Sequence, residues 1–213
     1  MNRLQERQLE DKERRRAEIV QAAADLAYEQ GWDQVTVGSV AKRARLSRAL
    51  VYLYFKDKVD LHAALWERAC STLHERFLEA VGRHQRGYDK LEAMGNAYVA
   101  FALEMPHYFE AMSRFESRTP EPVEGCSSEV RAMMRHRHVH DLMVETIQIG
   151  FKDGSVRTDA GDPHLIAVCL WGFTHGIIQI ATTKANELAR DGISQTALVK
   201  QAFSMIEKSL QSG

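Results

Sequence analysis

One short stretch of the chain concentrates side chains that could bind an anionic polymer. Between residues 41 and 58, six cationic side chains stand against one carboxylate, although the whole chain of 213 residues has a formal net charge of −1. Guanidinium and ammonium groups pair with phosphate oxygens, and arginine can also donate two parallel hydrogen bonds to guanine. The charges are those of Lys42, Arg43, Arg45, Arg48, Lys56 and Lys58, with Asp57 opposing them. The pattern predicts a nucleic-acid surface, and a solvated charged face is the alternative.

The cationic residues between 41 and 58 lie on and between short predicted helices. Residues 12–30 carry apolar side chains at three-to-four spacing, which predicts an amphipathic helix ended by Gly31. Thr36 and Ser47 are N-cap residues for two further helices, and Asp57 opens a longer one. A first helix followed by two short helices around a tight turn is the helix-turn-helix plan. The predicted core of this unit consists of Ile19, Ala23, Leu26, Val37, Val40, Ala41, Leu46, Val51 and Phe55.

The segment from Thr36 to Leu61 resembles the DNA-binding domain of the TetR family of bacterial regulators. With the preceding helix, the resemblance covers about a quarter of the chain. It implies an all-α fold, with an N-terminal arm and helix-turn-helix DNA-binding domain over residues 1–57 and a larger helical effector-binding and dimerisation domain over 58–213. The residues that match the family pattern are Thr36, Val40, Ala41, Ala44, Leu46, Ser47, Tyr52, Tyr54, Phe55, Lys58 and Leu61.

Two positions depart from the family pattern. Arg45 stands in the turn where the family usually has glycine, and if the turn needs a positive φ, this costs about 1 kcal/mol. A further cation at the DNA surface would offset that cost. Leu50 replaces a small or hydroxylated residue, so a polar contact is not carried over, and contact with a thymine methyl group or simple packing takes its place.

The resemblance and the chemistry of DNA together assign the contacts. Arg48, near the start of the recognition helix, is expected to bond guanine, with a phosphate contact as the alternative. Ala49 and Leu53 are expected to touch bases, and the hydroxyls of Tyr52 and Tyr54 to reach phosphates. Capping is the expected main role of the Thr36 and Ser47 side chains. The predicted DNA contacts are Thr36, Lys42, Arg45, Ser47, Arg48, Ala49, Leu50, Tyr52, Leu53, Tyr54 and Lys58.

The C-terminal part is expected to supply a dimer interface, because one helix-turn-helix reads only a few base pairs. Helices over 163–185 and 194–210 resemble the last two helices of TetR-type proteins, which form a four-helix bundle across the dimer axis. Gly172, Gly176 and Ala181 would allow close helix approach, and an intramolecular core is the alternative. The further predicted helices cover 88–104, 106–116 and 127–151, with a loop from Ser117 to Ser128.

Methionine and aromatic side chains at helical spacing mark the middle of the chain. Such side chains suit an adaptable apolar pocket, and they suit an ordinary core equally well. Trp171 and His175 belong to a Trp…His-Gly segment that looks like one found in part of the TetR family. The predicted effector-pocket residues are Met94, Tyr98, Phe101, Met105, Phe109, Met112, Trp171 and His175.

Enzymatic and metal chemistry have little support in the sequence. It contains no nucleophile elbow, HExxH, phosphate loop or dinucleotide fingerprint, so no enzyme and no cofactor are predicted. His136 and His140 share a helix face as a metal pair would, in a metallohydrolase for example, but Arg135 and Arg137 would repel a cation. We expect no metal and an exposed polar face there.

The expected protein is a cytoplasmic repressor that leaves a palindromic operator when a small apolar or amphipathic effector binds. Activation stays open, because its sign depends on where the operator lies, and an architectural binder without sequence preference is the main alternative. Three scattered cysteines fit a reducing compartment. The apolar stretch over 165–181 is interrupted by His175 and Gln179, which favours a buried helix and no membrane contact.

Overall fold

The protein is all-α, as predicted. The computed structural model describes residues 3–116 and 127–212, so most of the predicted loop with Pro120, Pro122, Gly125 and Cys126 lies outside the described residues. Within them, an isolated bridge between Val156 and Gln211 is the only β pairing. The helices are α1 Arg3–Gln30, α2 Val37–Arg43, α3 Arg48–Tyr52, α4 Lys58–Gly82, α5 Gly87–Glu104, α6 Pro106–Glu116, α7 Ser128–Asp153, α8 Pro163–Thr183, α9 Ala185–Arg190 and α10 Gln195–Leu210, with 3-10 turns at Trp32–Gln34 and Thr158–Ala160.

Local side-chain hydrogen bonds begin the short helices where the sequence predicted. The Thr36 hydroxyl accepts from the Ser39 N–H, and the Ser39 hydroxyl accepts from the Thr36 N–H, both at 3.0 Å. The Ser47 hydroxyl accepts from the Leu50 N–H at 3.1 Å. Each bond satisfies a backbone donor that the first helical turn leaves without a partner. These N-caps are therefore confirmed.

Helix α1 is longer than the periodicity predicted. It begins at Arg3 rather than at residue 12, and its first half is exposed. Apolar periodicity is absent there, and local ion pairs such as Arg15–Glu18 at 2.6 Å lie along the solvated face. Gly31 ends the helix with φ 77°, as a glycine can, but its ψ of 151° is extended rather than left-handed helical.

The described chain divides into two compact units. The first comprises Met1–Thr72 and Glu104–His136, and the second comprises Leu73–Leu103 and Arg137–Gly213. In the first unit the predicted core is buried except for Val37 and Leu46, which are half-buried. Trp32, which the periodicity did not include, is buried with it. The domain boundary at residues 57 and 58 stays a prediction.

The second unit brings the start of α5 directly against the end of α7. A Cβ at Gly87 would stand 2.1 Å from the backbone nitrogen of Gly150, so only glycine fits at this contact. The Gly87 N–H donates to the Asp153 carboxylate at 2.7 Å, and the Tyr88 N–H donates to the Ser155 hydroxyl at 2.9 Å. These bonds hold the first turn of α5, which lines the cavity described below.

Candidate nucleic-acid interface and apolar cavity

The turn between α2 and α3 is built on an arginine with a positive φ. Arg45 has φ 58°, and it is the one non-glycine residue with a positive φ among residues 3–116 and 127–212. Its N–H donates to the Lys42 carbonyl at 3.2 Å, and the Leu46 N–H donates to the Ala41 carbonyl at 2.8 Å. These bonds close α2 and turn the chain into α3. The condition for strain at this position is therefore met, and the strain costs about 1 kcal/mol.

Helix α3 presents one face to the core and the other to solvent. Val51 and, just after the helix, Phe55 are buried, whereas Tyr52 is exposed and Leu53 is 77% exposed. The structure thus leaves most of the predicted DNA contacts on the surface. The exposed ones are Thr36, Lys42, Arg45, Ser47, Arg48, Ala49, Tyr52 and Leu53, and the half-buried ones are Leu50, Tyr54 and Lys58.

The cations of this stretch have different surroundings. Arg43 makes two hydrogen bonds to Glu29, at 2.9 and 2.5 Å, and these bonds lower the pKa of the Glu29 carboxyl. The Lys58 ammonium donates to the Asp33 carbonyl at 3.2 Å and lies 5.2 Å from the centre of the Trp32 ring. In the described part of the chain, no ion pair holds Lys42, Arg45 or Arg48. The cations available to an anionic partner are therefore fewer than the sequence suggests.

Arg16 is a structural residue of α1. Its guanidinium donates to Glu67 at 2.8 Å and lies 5.4 Å from the centre of the Phe55 ring. Glu67 also accepts from Arg131 at 3.3 Å. Both arginines and the carboxylate are largely or partly buried, so this cluster holds α1, α4 and α7 together within the first unit.

Helix α6 is tied to the turn that follows α1. Two nitrogens of Arg114 donate to the Asp33 carboxylate, both at 2.9 Å, and this pairing lowers the pKa of that carboxyl. The buried His62 ring lies 4.6 Å from the Trp32 ring and 5.9 Å from the Phe115 ring, between centroids. Sequence reasoning missed these contacts, because they join residues far apart in the chain.

An apolar cavity of about 50 Å³ lies among α4, α5, α7, α8 and α10 of the second unit. Met94, Tyr98 and Trp171 of the predicted pocket line it. Phe101 is fully buried with its ring 6.4 Å from that of Tyr98, between centroids. The other three predicted residues belong to the first unit and do not line this cavity: Met105, Phe109 and Met112.

A buried hydrogen bond joins His175 to the wall of this cavity. The Tyr98 hydroxyl lies 2.7 Å from His175 Nδ1, and the Tyr98 ring stacks on the Trp171 ring with 4.9 Å between centroids. Burial lowers the pKa of His175 to about 4, so its ring is neutral at physiological pH. The pair therefore places a neutral hydrogen bond, and no positive charge, beside the wall of the cavity.

His136 and His140 of α7 are not on an exposed polar face, which the sequence predicted for them. His136 and His140 are half-buried, and their rings lie about 6 Å from those of Trp66 and His164, between centroids. Aromatic packing therefore accounts for both. Residues 3–116 and 127–212 contain no group of three His, Cys, Asp or Glu side chains that could hold a metal ion.

Helix α8 is apolar on both of its faces. Its 21 residues reach a mean hydropathy of 1.6 over 18 residues, which is long and apolar enough for a membrane span, though core helices also pass this test. A buried helix was expected, yet only a third of that window is buried. Leu165, Val168 and Ile180 are exposed, and a Cβ at Gly172 or Gly176 would meet nothing within 4 Å. No close helix contact within the described chain thus uses these glycines.

Two family models match the sequence in the regions of these features. A model described as bacterial regulatory proteins of the tetR family matches residues 19–65. A second, described as a tetracyclin repressor-like C-terminal domain, matches residues 91–199, which is just over half of the chain. The chain belongs to the TetR family. Its members are DNA-binding transcriptional regulators, so the protein is such a regulator rather than an enzyme.

Individual proteins share part of this sequence or its fold. The chain is 38% identical over 64 residues to the HTH-type transcriptional regulator AcrR of Shigella flexneri, and the alignment spans only 30% of each chain. A Rhodococcus sp. RHA1 protein of unknown function aligns with a TM-score of 0.73 at 21% identity, over 93% of this chain and 95% of that one. The regulator FadR from Bacillus subtilis, solved in complex with stearoyl-CoA, has a TM-score of 0.66 at 18% identity, over 91% and 97%. Likeness at such identities shows the shared fold alone.

Proposed function

We propose that this TetR-family regulator is a cytoplasmic repressor that binds an inverted-repeat operator as a homodimer and leaves it when a small molecule binds. The observation that carries the proposal is the outer face of α3. It exposes Arg48, Tyr52 and Leu53 to solvent, next to Lys42 and Arg45, and the described residues place no carboxylate in an ion pair with these cations. Such a face is complementary to the major groove, where base edges lie between two phosphate backbones.

The side chains of this face would have two roles, since some would read the base sequence and others would fix the position of the protein on the DNA. Arg48 supports base recognition, because a guanidinium can bond guanine O6 and N7 together, and Leu53 can contact a thymine methyl group. Lys42, Arg45 and the Tyr52 hydroxyl are suited to phosphates, which fix the register without reading sequence. Thr36 and Ser47 already bond backbone N–H groups as caps, so any contact they make with phosphate is secondary.

The apolar outer face of α8 supports the homodimer. An exposed row of large apolar side chains on one helix is covered in most soluble proteins by a partner. Met205 extends this face onto α10, which packs along α8. In the proposed homodimer, two α3 helices would bind half-sites about 34–36 Å apart, one turn of DNA. The exposed row consists of Leu165, Val168, Cys169, Gly172, Phe173 and Ile180.

The cavity supports control by a ligand. It is lined by flexible methionines and aromatic rings, and the hydroxyl of one ring, Tyr98, bonds the neutral His175; such linings are typical of sites for small apolar or amphipathic molecules. A coupling of about 1–3 kcal/mol between effector and DNA would weaken operator binding roughly 5- to 150-fold. Whether transcription falls or rises then depends on the position of the operator.

Selection of bound sequences from random DNA by the purified protein tests the proposal. We expect an inverted repeat that is bound at least about 10³-fold more tightly than random DNA. Arg48→Ala should relax selection at one base position in each half-site and leave the others. An architectural DNA-binding protein would instead give no enriched repeat, and this outcome would contradict the proposal.

A further inference from the structure

The walls of the cavity in the second unit combine aromatic rings with a carboxylate. Met94 and Met143 fill the gaps between the rings, and the one charged residue in the lining is Glu92, at the exposed rim. The face of an aromatic ring carries partial negative charge and attracts cations. The five rings that line the cavity belong to Phe77, Tyr88, Tyr98, Trp171 and Phe203.

The pKa of Tyr88, which lines the cavity, indicates a negative electrostatic potential around it. Tyr88 is buried, and its pKa is raised to about 12, first by burial and then by the carboxylates of Glu207, Glu92 and Asp89. These three carboxylates come from α5 and α10, which both line the cavity. Their negative charge acts on the interior of the cavity as well as on the phenol, so the site disfavours an anionic ligand.

No group in the lining would neutralise an anionic ligand. His175, whose ring is bonded to the lining residue Tyr98, is neutral at physiological pH because burial lowers its pKa to about 4. A groove of about 550 Å³ shares Glu92 and Phe203 with the cavity, and its lining contains Lys200 together with two carboxylates, those of Glu92 and Glu207. A ligand carboxylate or phosphate in the cavity or the groove would therefore meet more negative charges than positive ones.

We propose that the effector is a lipophilic cation, a hydrophobic amine or quaternary ammonium compound. Its cationic head would lie against the stacked rings of Tyr98 and Trp171, with the Glu92 carboxylate at the rim, and its apolar body would extend into the adjoining groove. The cavity holds roughly three water-sized groups, enough for a small methylated head group. The inference rests on the proposed function in one respect, namely that this cavity is the effector site.

Three probes of similar shape and different charge test the inference on the full-length protein. They are benzyltrimethylammonium, its neutral isostere neopentylbenzene, and the anion benzylphosphonate, each measured by equilibrium dialysis. We expect the cation to bind about tenfold more tightly than the neutral isostere, because a desolvated cation gains from both the ring faces and the carboxylate. The anion should bind most weakly of the three.

A substitution at the rim separates charge from shape. Glu92→Gln should lower the affinity for benzyltrimethylammonium about fivefold and leave that for neopentylbenzene unchanged, since it removes charge but keeps volume. Glu75→Gln is the matched control, because Glu75 is an exposed carboxylate of α4 that does not line the cavity. It should change neither affinity.

The outcomes distinguish the ligand class from the regulatory role. Equal binding of the cation and its neutral isostere, or a preference for the anion, overturns the inference. If neopentylbenzene or benzylphosphonate binds best and weakens operator binding, the effector site is supported and the cation class is wrong. If benzyltrimethylammonium binds with the expected preference but leaves operator affinity unchanged, the cation class is supported and the repressor mechanism fails.

Discussion

The guanidinium of Arg48 lies directly against Gly38, across the turn between α3 and α2. A Cβ at Gly38 would stand 2.7 Å from Arg48 Nη2 and 2.9 Å from Arg48 Nε. Glycine in a helix costs up to about 1 kcal/mol relative to alanine, so its presence at the second residue of α2 needs a reason. The reason is space, because any larger side chain would displace the arginine that we assign to base recognition.

Gly38→Ala should therefore change DNA binding without harming the fold. The free energy of unfolding should stay constant or rise by up to about 1 kcal/mol, since the arginine tip can move aside. Operator affinity should fall because the guanidinium loses its place. In an Arg48→Ala background the same substitution should have no further effect. Fluorescence anisotropy with labelled operator and urea unfolding measure the two quantities for all four chains of this double-mutant cycle.

Additive losses in that cycle would contradict the pairing. They would mean that the methyl group introduced by Gly38→Ala acts on the DNA backbone by itself rather than through Arg48. If Gly38→Ala lowered the free energy of unfolding, the substitution would be disrupting α2 itself. A fall in operator affinity could then not be attributed to the displacement of Arg48.

Lys42 and Lys58 should differ although both carry one positive charge. Lys42 is exposed and makes no ion pair in the described chain, so Lys42→Ala should make the salt dependence of operator binding shallower by about one unit and leave stability unchanged. Lys58→Ala should also lower stability by about 1 kcal/mol, because the ammonium bonds Asp33 and lies over Trp32. Salt titrations and urea unfolding separate the two effects.

Lys152→Ala serves as the control for both lysines, since Lys152 is exposed near the end of α7 in the second unit. It should leave the salt dependence and the stability as they are. If Lys42→Ala also leaves the salt dependence unchanged, Lys42 makes no phosphate contact in the complex.

Signals that are local in the chain predicted the structure of the DNA-binding face. The caps at Thr36 and Ser47 and the turn at Arg45 each depend on neighbours within a few residues, so the sequence alone reveals them. The pair Asp33 and Arg114 could not be found in this way. These residues are 81 positions apart, and nothing in either local pattern names the partner.

The cavity was only partly predictable for a similar reason. Periodicity shows which side of a helix is apolar but not which element packs on it. The spacing that includes Tyr98 continues through Met112, yet α5 ends at Glu104 and α6 belongs to the other unit. Likewise the composition of α8 indicated burial, but composition cannot tell a core inside one chain from an interface between two chains.

His175 should make stability depend on pH. Its pKa is about 4 in the folded chain and 6.5 without burial, so below pH 6.5 the unfolded chain takes up a proton that the folded chain does not. Stability should therefore fall as the pH drops from 6.5 to 4, by at most about 3 kcal/mol from this group. Urea unfolding between pH 4 and 8 should give a flatter profile for His175→Gln. Parallel profiles for the two chains would show that the ring is not kept neutral.

Val168→Glu should separate the dimer, if α8 forms the two-fold interface. Val168 is 57% exposed in the single chain, so a carboxylate there is tolerated by the monomer but would be buried without a partner in the dimer. A buried unpaired charge costs about 2–5 kcal/mol at an interface, and a two-fold axis repeats it, so the dimer dissociation constant should rise at least a hundredfold. Operator affinity should fall with it, because each monomer binds one half-site.

Met134→Glu makes the same kind of change at a residue 60% exposed on α7, and it should keep the native mass in light scattering. A Val168→Glu chain that remains dimeric and binds operator normally would place the interface elsewhere.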